Sequence, residues 1–222
     1  MSYPSQYLDD VLVRMSYHSS GIEGNTISLP ETVSIILEKA LPTGRKSVRE
    51  FYEIDNHRQA FSYLLDLLET SAPLSLDIVL GIHEHLTDRL QHDKGQFKTS
   101  HNAIIGAEFQ TASPEEVYPL MMQWCDNTRY RLDASQNLES TLDTLAESHI
   151  QFERIHPFSD GNGRTGRLLL LYLAMVYLES PIIINKENRA NYIESLANQD
   201  VKSLATLLLD SYQHEKERLT RF

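Results

Sequence analysis

His156-Pro157-Phe158-Ser159-Asp160-Gly161-Asn162-Gly163-Arg164-Thr165-Gly166-Arg167 runs straight into Leu168-Leu169-Leu170-Leu171-Tyr172-Leu173-Ala174-Met175-Val176-Tyr177-Leu178. The second stretch is apolar on nearly every side at helical pitch. That predicts a helix over 164–178 buried at the centre of the fold. Leu168 to Leu178 is the longest apolar stretch, and it is too short to span a bilayer, which needs about 20 residues. The first stretch is a loop whose glycines, Gly161, Gly163 and Gly166, let the backbone turn sharply and approach a ligand closely. It opens onto the start of the central helix, where free N–H groups and the helix dipole favour an anion.

Outward from this pair, apolar spacing stays helical and turn residues divide it. Leu8, Leu12, Met15, Ser19 and Ile22 share a helix face, and Gly24-Asn25 ends that helix. Pro30 opens a second helix through Leu37, which Leu41-Pro42-Thr43-Gly44 ends. Val48 to Leu68 predicts a long helix with Phe51, Ile54, Asp55, Arg58, Phe61, Leu65 and Leu68 near one face. Ser75 caps a helix running to Leu90, and Ser113-Pro114-Glu115-Glu116 starts another. Leu138 to Phe152, Asn191 to Leu196 and Val201 to Tyr212 are helical, while Ile182-Ile183-Ile184 is too short to assign. Gln96 to Gln110, with Phe97, Ile104, Ile105 and Phe109, breaks the helical spacing and predicts a short β-hairpin. The expected fold is all-α, a helical bundle with one hairpin.

The chain has 222 residues, 31 acidic and 20 basic, for a net charge of −11. An acidic surface argues against nucleic acid and anionic membranes as partners. Arg154, Arg164 and Arg167 are a local basic exception, which suits a small anionic ligand. Cys125 is the only cysteine, so no disulfide forms within the chain, and its apolar surroundings predict a buried thiol. The start lacks a secretory pattern, which points to the cytoplasm.

Two guanidiniums, Arg164 and Arg167, a row of amides and one carboxylate suit a polyphosphate carrying Mg²⁺. Asp160 is the natural metal ligand, because Mg²⁺ prefers one or two carboxylates plus phosphate oxygens. His156 is the group whose ordinary pKa suits proton abstraction near neutral pH. Gly161-x-Gly163-x-x-Gly166 also matches the dinucleotide-binding fingerprint, with Glu187 at about the right distance. That reading fails because no buried strand precedes the loop and no βαβ pattern recurs. His83-Glu84-His85 is not a metal pair, since residues two apart on a helix point to different sides.

The segment His156 to Arg167 resembles the signature of the Fic (Fido-domain) family, His-x-Phe-x-Asp-Gly-Asn-Gly-Arg-x-x-Arg, at every specified position. The similarity extends from about Gly95 to Leu209. The resemblance implies a protein AMP transferase with Mg²⁺ and ATP, which moves AMP to a Ser, Thr or Tyr hydroxyl and releases pyrophosphate. It implies His156 as base, Asp160 as Mg²⁺ ligand, and nucleotide binding by Gly161, Asn162, Gly163, Arg164, Thr165, Gly166 and Arg167, with Arg167 on the γ-phosphate. Phe158 would anchor the loop. Ala103, Ile104, Ile105 and Gly106 match the family's flap, where a target segment would add through backbone hydrogen bonds. Tyr192 and Asn198 match positions near the adenine.

Ser19-Ser20-Gly21-Ile22-Glu23-Gly24 resembles the family's inhibitory motif, Ser/Thr-x-x-x-Glu-Gly/Asn, in the class that carries it on an N-terminal helix. The division implied is an inhibitory region over 1–45 and a catalytic core over 46–222. Glu23 would pair in bidentate fashion with Arg167 and occupy the γ-phosphate site, with Ser19 bracing it. Transfer of another phosphate-linked group, removal of AMP from a modified target, and a nucleotide-sensing module without catalysis are the alternatives. The target is a protein docked on the flap. Self-modification and a homodimer are left open.

Overall fold

The computed structural model describes residues 3–42, 46–103 and 110–222. Its helices are α1 (Ser5–Ile22), α2 (Leu29–Glu38), α3 (Val48–Glu69), α4 (Leu76–Leu86), α5 (Pro114–Ala134), α6 (Leu138–Ile155), α7 (Asn162–Tyr177), α8 (Arg189–Asn198) and α9 (Val201–Leu219), with a 3-10 turn at Lys186–Asn188. No strand occurs among the described residues. The all-α class is therefore as the periodicity indicated. Ile104, Ile105, Gly106 and Phe109 of the expected hairpin lie outside the described residues, as do Thr43 and Gly44. The described flanks of that segment form no ladder.

Every residue from Leu168 to Met175 of α7 is buried. Helices α1, α3, α4 and α6 surround it. A helix apolar on all sides can be placed only in such a sheath. Side-chain caps set the starts of α2, α3, α4 and α6. Ser28 with Glu31 and Ser47 with Glu50 form capping boxes on α2 and α3. Ser75 and Asn137 cap α4 and α6. Helix α7 starts differently: Gly161, at φ 80°, precedes it and offers no side-chain cap.

Helix α1 is part of the same core. Tyr7, Val11, Leu12, Val13, Met15 and Ile22 are buried. Its outer end is clasped by α9: Arg14 pairs with Glu215, Tyr7 donates to Glu215 Oε2 at 2.9 Å, and Arg218 reaches both oxygens of Asp10 at 2.5 and 2.6 Å. No helix among the described residues is long and apolar enough to cross a membrane. Cys125 is buried, and burial pushes its thiol up to about 12.

Four helices depart from expectation. The inner face of α3 is Ile54, Asn56, His57, Ala60, Phe61 and Leu64, not the face containing Asp55 and Arg58. Asn56 and His57 are buried because backbone carbonyls take their donors. Asn56 Nδ2 serves Leu86 O at 3.0 Å and Asp88 O at 2.6 Å, and His57 Nδ1 serves Glu53 O at 2.8 Å. Helix α4 ends at Leu86 rather than Leu90. Thr87 Oγ1 back-bonds to His83 O, Asn56 and Gln59 claim the last carbonyls, and Arg89 turns to φ 60°. Helix α6 runs on to Ile155, and α9 runs on to Leu219. Ile182, Ile183 and Ile184 form a buried extended segment. Ser211 Oγ pairs with the backbone N–H and carbonyl of Ile183, each at 2.9 Å.

Burial holds several imidazoles neutral: His57 and His149 fall to about 3, and His18 and His83 to about 4, against an ordinary 6.5. These folded values lie below the unfolded one, so their contribution is complete above 6.5 and is lost as pH falls toward 4. Glu153, raised to about 7 by burial, acts in the opposite sense but is a single group. We expect the melting temperature, followed by circular dichroism, to drop continuously from pH 7 to pH 5. A melting temperature that holds or rises over that interval contradicts this assignment.

Candidate functional site

The site begins where α6 stops. His156 takes a left-handed backbone, φ 51°, uncommon for a residue with a side chain, and its N–H still bonds Phe152 O at 3.0 Å. Pro157 follows and bars further helix. Phe158 is fully buried, with its ring stacked on His83 at 3.6 Å between centroids. Asn162 straps the turn: its Oδ1 accepts from Phe158 N and its Nδ2 donates to Phe158 O, both at 2.8 Å. Its side-chain amide thus serves the loop itself, leaving its backbone to face a ligand.

His83 is a second support that the sequence did not reveal. Its Nδ1 accepts from Gly95 N at 3.0 Å, and its Nε2 lies 3.1 Å from Asp160 O. Lys98 N bonds Pro157 O at 2.9 Å, and Asn102 Nδ2 bonds Phe158 O at 2.8 Å. Thr111 Oγ1 bonds Asn102 O at 2.9 Å. Both flanks of the segment expected to be the flap are therefore fastened beside the loop. Ala103 is exposed there.

The chemical groups converge at the start of α7. His156 Nδ1 lies 3.3 Å from Glu153 O, a carbonyl that can only accept. Nδ1 therefore carries the proton and Nε2 the free lone pair. Burial lowers the His156 pKa to about 4, so the ring is neutral at physiological pH. Asp160 Oδ1 accepts from Gly161 N at 2.6 Å, and Oδ2 accepts from Arg49 Nη2 at 2.6 Å. Burial acts to raise the Asp160 pKa, but the Arg49 bond and the Arg164 charge bring it below the ordinary value. Among the described residues no three His, Cys, Asp or Glu side chains form a metal cluster. One half-exposed carboxylate suits a cation that takes its remaining ligands from phosphate and water, while the uncapped helix start beside it suits the phosphate.

Arg164 and Arg167 are 4 % and 3 % exposed. Arg164 Nη1 and Thr165 Oγ1 are buried with no hydrogen-bond partner among the described residues. An unmatched guanidinium donor at a helix start is a ready seat for an oxyanion. Arg167 is engaged by the end of α1 through Nε and Nη2. Nε donates to Ser19 Oγ at 3.0 Å, and Nη2 donates to Ser19 O at 2.9 Å and to Glu23 Oε1 at 2.6 Å. The expected fork-to-fork pair is thus a contact through one carboxylate oxygen, because Ser19 claims Nε. Burial acts to raise the Glu23 pKa, and the Arg167 charge overcomes it, leaving the carboxyl below its ordinary value. Glu23 lies so close that a Cβ on Gly163 would meet its Oε1 at 2.2 Å.

Tyr192 and Asn198 part company. Tyr192 is fully buried, bonds His149 Nε2 at 2.8 Å and sits under the Arg167 guanidinium, 5.9 Å from ring centroid to Cζ. Asn198 lines a groove between α8 and α9 with Asn191, Glu194 and Asp210. Gly166 permits α6 and α7 to touch. A Cβ there would meet Glu153 Oε1 at 2.5 Å, with Phe152 and His149 ring atoms at 3.0 and 3.1 Å behind it. Gly166→Ala should therefore cost about 1–3 kcal/mol in urea unfolding. A cost below about 0.5 kcal/mol would show that the contact yields more easily than the surface substitutions it would then resemble.

A model of the Fic/DOC family matches residues 73–174. Protein adenylyltransferase fic-1 of Caenorhabditis elegans is 31% identical over 209 residues, covering 93% of this chain and 40% of that protein. Protein adenylyltransferase Fic of Culex quinquefasciatus is 32% identical over 207 residues, covering 90% of this chain and 40% of that protein. The chain therefore spans 40% of the length of these relatives. The solved structure of C. elegans Fic-1, residues 134–508, superposes with a TM-score of 0.73 at 27% identity, covering 96% of this chain and 62% of that one. A Fic domain containing signaling protein from Bacteroides thetaiotaomicron shares the fold with a TM-score of 0.77 at 23% identity, covering 98% of this chain and 86% of that one. Through this domain and the loop at its centre, the chain belongs to the Fic/DOC family.

Proposed function

We propose that the protein transfers AMP from ATP to a hydroxyl side chain of a target protein, and that Glu23 holds this activity down. The observation that carries the reading is the pairing of two features on one loop. The neutral His156 imidazole, Nε2 unprotonated, stands beside an uncapped helix start, and the next arginine seat, Arg167, is filled by a carboxylate of the same chain.

In this reading the triphosphate lies along the backbone N–H groups of Asn162 to Arg164, with Arg164 Nη1 as an additional donor. Arg167 receives the γ-phosphate once Glu23 has left. His156 Nε2 takes the proton of the target hydroxyl. That oxygen attacks the α-phosphorus, the bond to the bridging oxygen of the β-phosphate breaks, and pyrophosphate departs. Magnesium on Asp160 would neutralise phosphate charge. The residues supply position and charge compensation, which is most of what phosphoryl-type transfer requires. The target docks beside residues 96–110, whose flanks are tied to Pro157 and Phe158. Residues 1–45 act as the inhibitory region and 46–222 as the catalytic core.

Glu23→Gly vacates the seat on Arg167. A hydrogen bond to a charged group contributes about 1.5–3 kcal/mol, so AMP transfer or self-modification should rise by about 10–100-fold. Labelled ATP with magnesium and cell lysate reads this directly, and equal labelling by the two proteins removes the inhibitory role. His156→Ala in the Glu23→Gly background should abolish labelling and leave nucleotide binding, measured by calorimetry, largely intact. Retained labelling would sink the base assignment. Mass spectrometry of the modified target distinguishes AMP from another phosphate-linked group.

The His156 pKa sets a pH signature. The base form persists down to about pH 4. The profile of kcat/KM, which reports the free enzyme, should therefore be flat on the acid side between pH 8 and about 6. A half-drop near pH 6.5 would mean the imidazole is not held neutral.

A further inference from the structure

Asp160, the carboxylate best suited to a divalent cation, already has a cation on it. Arg49 Nη2 lies 2.6 Å from Asp160 Oδ2. Arg49 sits in the first turn of α3, where the positive end of the helix dipole disfavours a cation. The i,i+4 pair with Glu53 offsets part of that but does not require the further contact with Asp160, and at 56% exposure the side chain is not held there by burial.

What aims Arg49 is Glu53, one turn further along α3. Glu53 Oε1 accepts from Arg49 Nε at 3.0 Å, which turns the guanidinium so that Nη2 points at Asp160. Glu53 Oε2 accepts from Asn25 Nδ2 at 3.0 Å, and the carbonyl of Glu53 accepts from Ser20 Oγ at 3.2 Å. Asn25 and Ser20 flank Glu23, and Asn25 N bonds Ser20 O at 3.1 Å. One continuous set of polar contacts thus runs from Asp160 through Arg49, Glu53 and Asn25 to the segment that carries Glu23. It closes on the same loop at Arg167.

We propose that Arg49 is a second inhibitory residue, which competes with the divalent cation for Asp160. This rests on the nucleotide reading given above. Arg49 and the metal compete for Oδ2, because two positive centres on one oxygen repel each other. Glu23 covers the arginine that would hold the end of the triphosphate, and Arg49 covers the carboxylate that would hold its metal. The two blocks differ in their surroundings. In the first, Arg167 is shut away at 3% exposure against 43% for Glu23, whereas both partners of Arg49–Asp160 are exposed, at 56% and 49%. Exposed pairs contribute about 0–1 kcal/mol and are screened by salt. Arg49 therefore raises the cation concentration at which the site loads and does not forbid loading.

The test is calorimetric and needs no turnover. In the Glu23→Gly background, Mn²⁺ is titrated into protein saturated with an ATP analogue that cannot be cleaved between the α- and β-phosphates. Arg49→Ala should lower the apparent dissociation constant of Mn²⁺ by about two- to fivefold, the equivalent of up to about 1 kcal/mol. The gain should shrink toward nothing near 0.5 M salt, where exposed charges are screened. Arg49→Lys, which keeps the charge and loses the fork, should fall between. Adding Asp160→Ala should erase the difference between Arg49 and Ala. An unchanged or weaker Mn²⁺ affinity in Arg49→Ala, or a gain indifferent to salt, overturns the competition while leaving the nucleotide reading in place. No uptake of the analogue by Glu23→Gly, with or without Mn²⁺, overturns both.

Discussion

A guanidinium buried at the start of a buried helix must be answered by negative charge, and the molecule is arranged around that requirement. Arg167 is 3% exposed, and burial alone would favour loss of its proton. An unpaired charge in such a place costs several kcal/mol. The chain meets the demand with Glu23, Ser19 and the face of Tyr192. Each comes from an element that has to be delivered to this spot by the fold. In the proposed cycle a phosphate substitutes for Glu23, one anion for another, so the buried cation is never left bare. A carboxylate is a natural inhibitor for this reason: it satisfies Arg167 as an acceptor and offers no phosphorus to attack.

This demand also explains why α1 belongs to the core. Glu23 follows directly on the last residue of α1, and the opposite end of that helix is fixed to α9 through Arg14, Glu215, Arg218 and Asp10. With six apolar residues of α1 buried, release of Glu23 by departure of the whole helix would expose a large part of the core. A local movement at Ser20 to Asn25 requires far less. Gly24, at φ 94° with nothing near its missing side chain, gives that segment room to turn. The part-buried Asn25–Glu53 bond and the exposed Arg49–Asp160 bond are the contacts that such a movement would test first.

The sequence disclosed the loop because its chemistry is contiguous: base, carboxylate, glycines and both arginines fall within His156 to Arg167. It disclosed α7 because apolarity on every side has one physical solution, and it disclosed three helix starts because Pro30, Ser75 and Ser113-Pro114 stand where helices open. It misread the inner face of α3, where Asn56 and His57 are buried against backbone carbonyls that belong partly to α4. Periodicity ranks polar residues as outward, and only tertiary partners reverse that ranking. Arg49, His83 and Glu153 were illegible for the same reason: each acts on the loop from a separate helix, and nothing local marks it. Glu23 stood between these cases. Its motif was readable, but the single-oxygen contact, with Ser19 taking Nε, depends on how α1 approaches α7.

The central claim is that Glu23 and the terminal phosphate of ATP use the same seat. The most direct measurement is a crystal structure of Glu23→Gly with magnesium and a non-hydrolysable ATP analogue. The account expects the γ-phosphate on Arg167 where Glu23 Oε1 lay, with the α-phosphorus facing His156 Nε2. An analogue bound with Arg167 free of phosphate, or with its α-phosphorus turned away from His156, would contradict it.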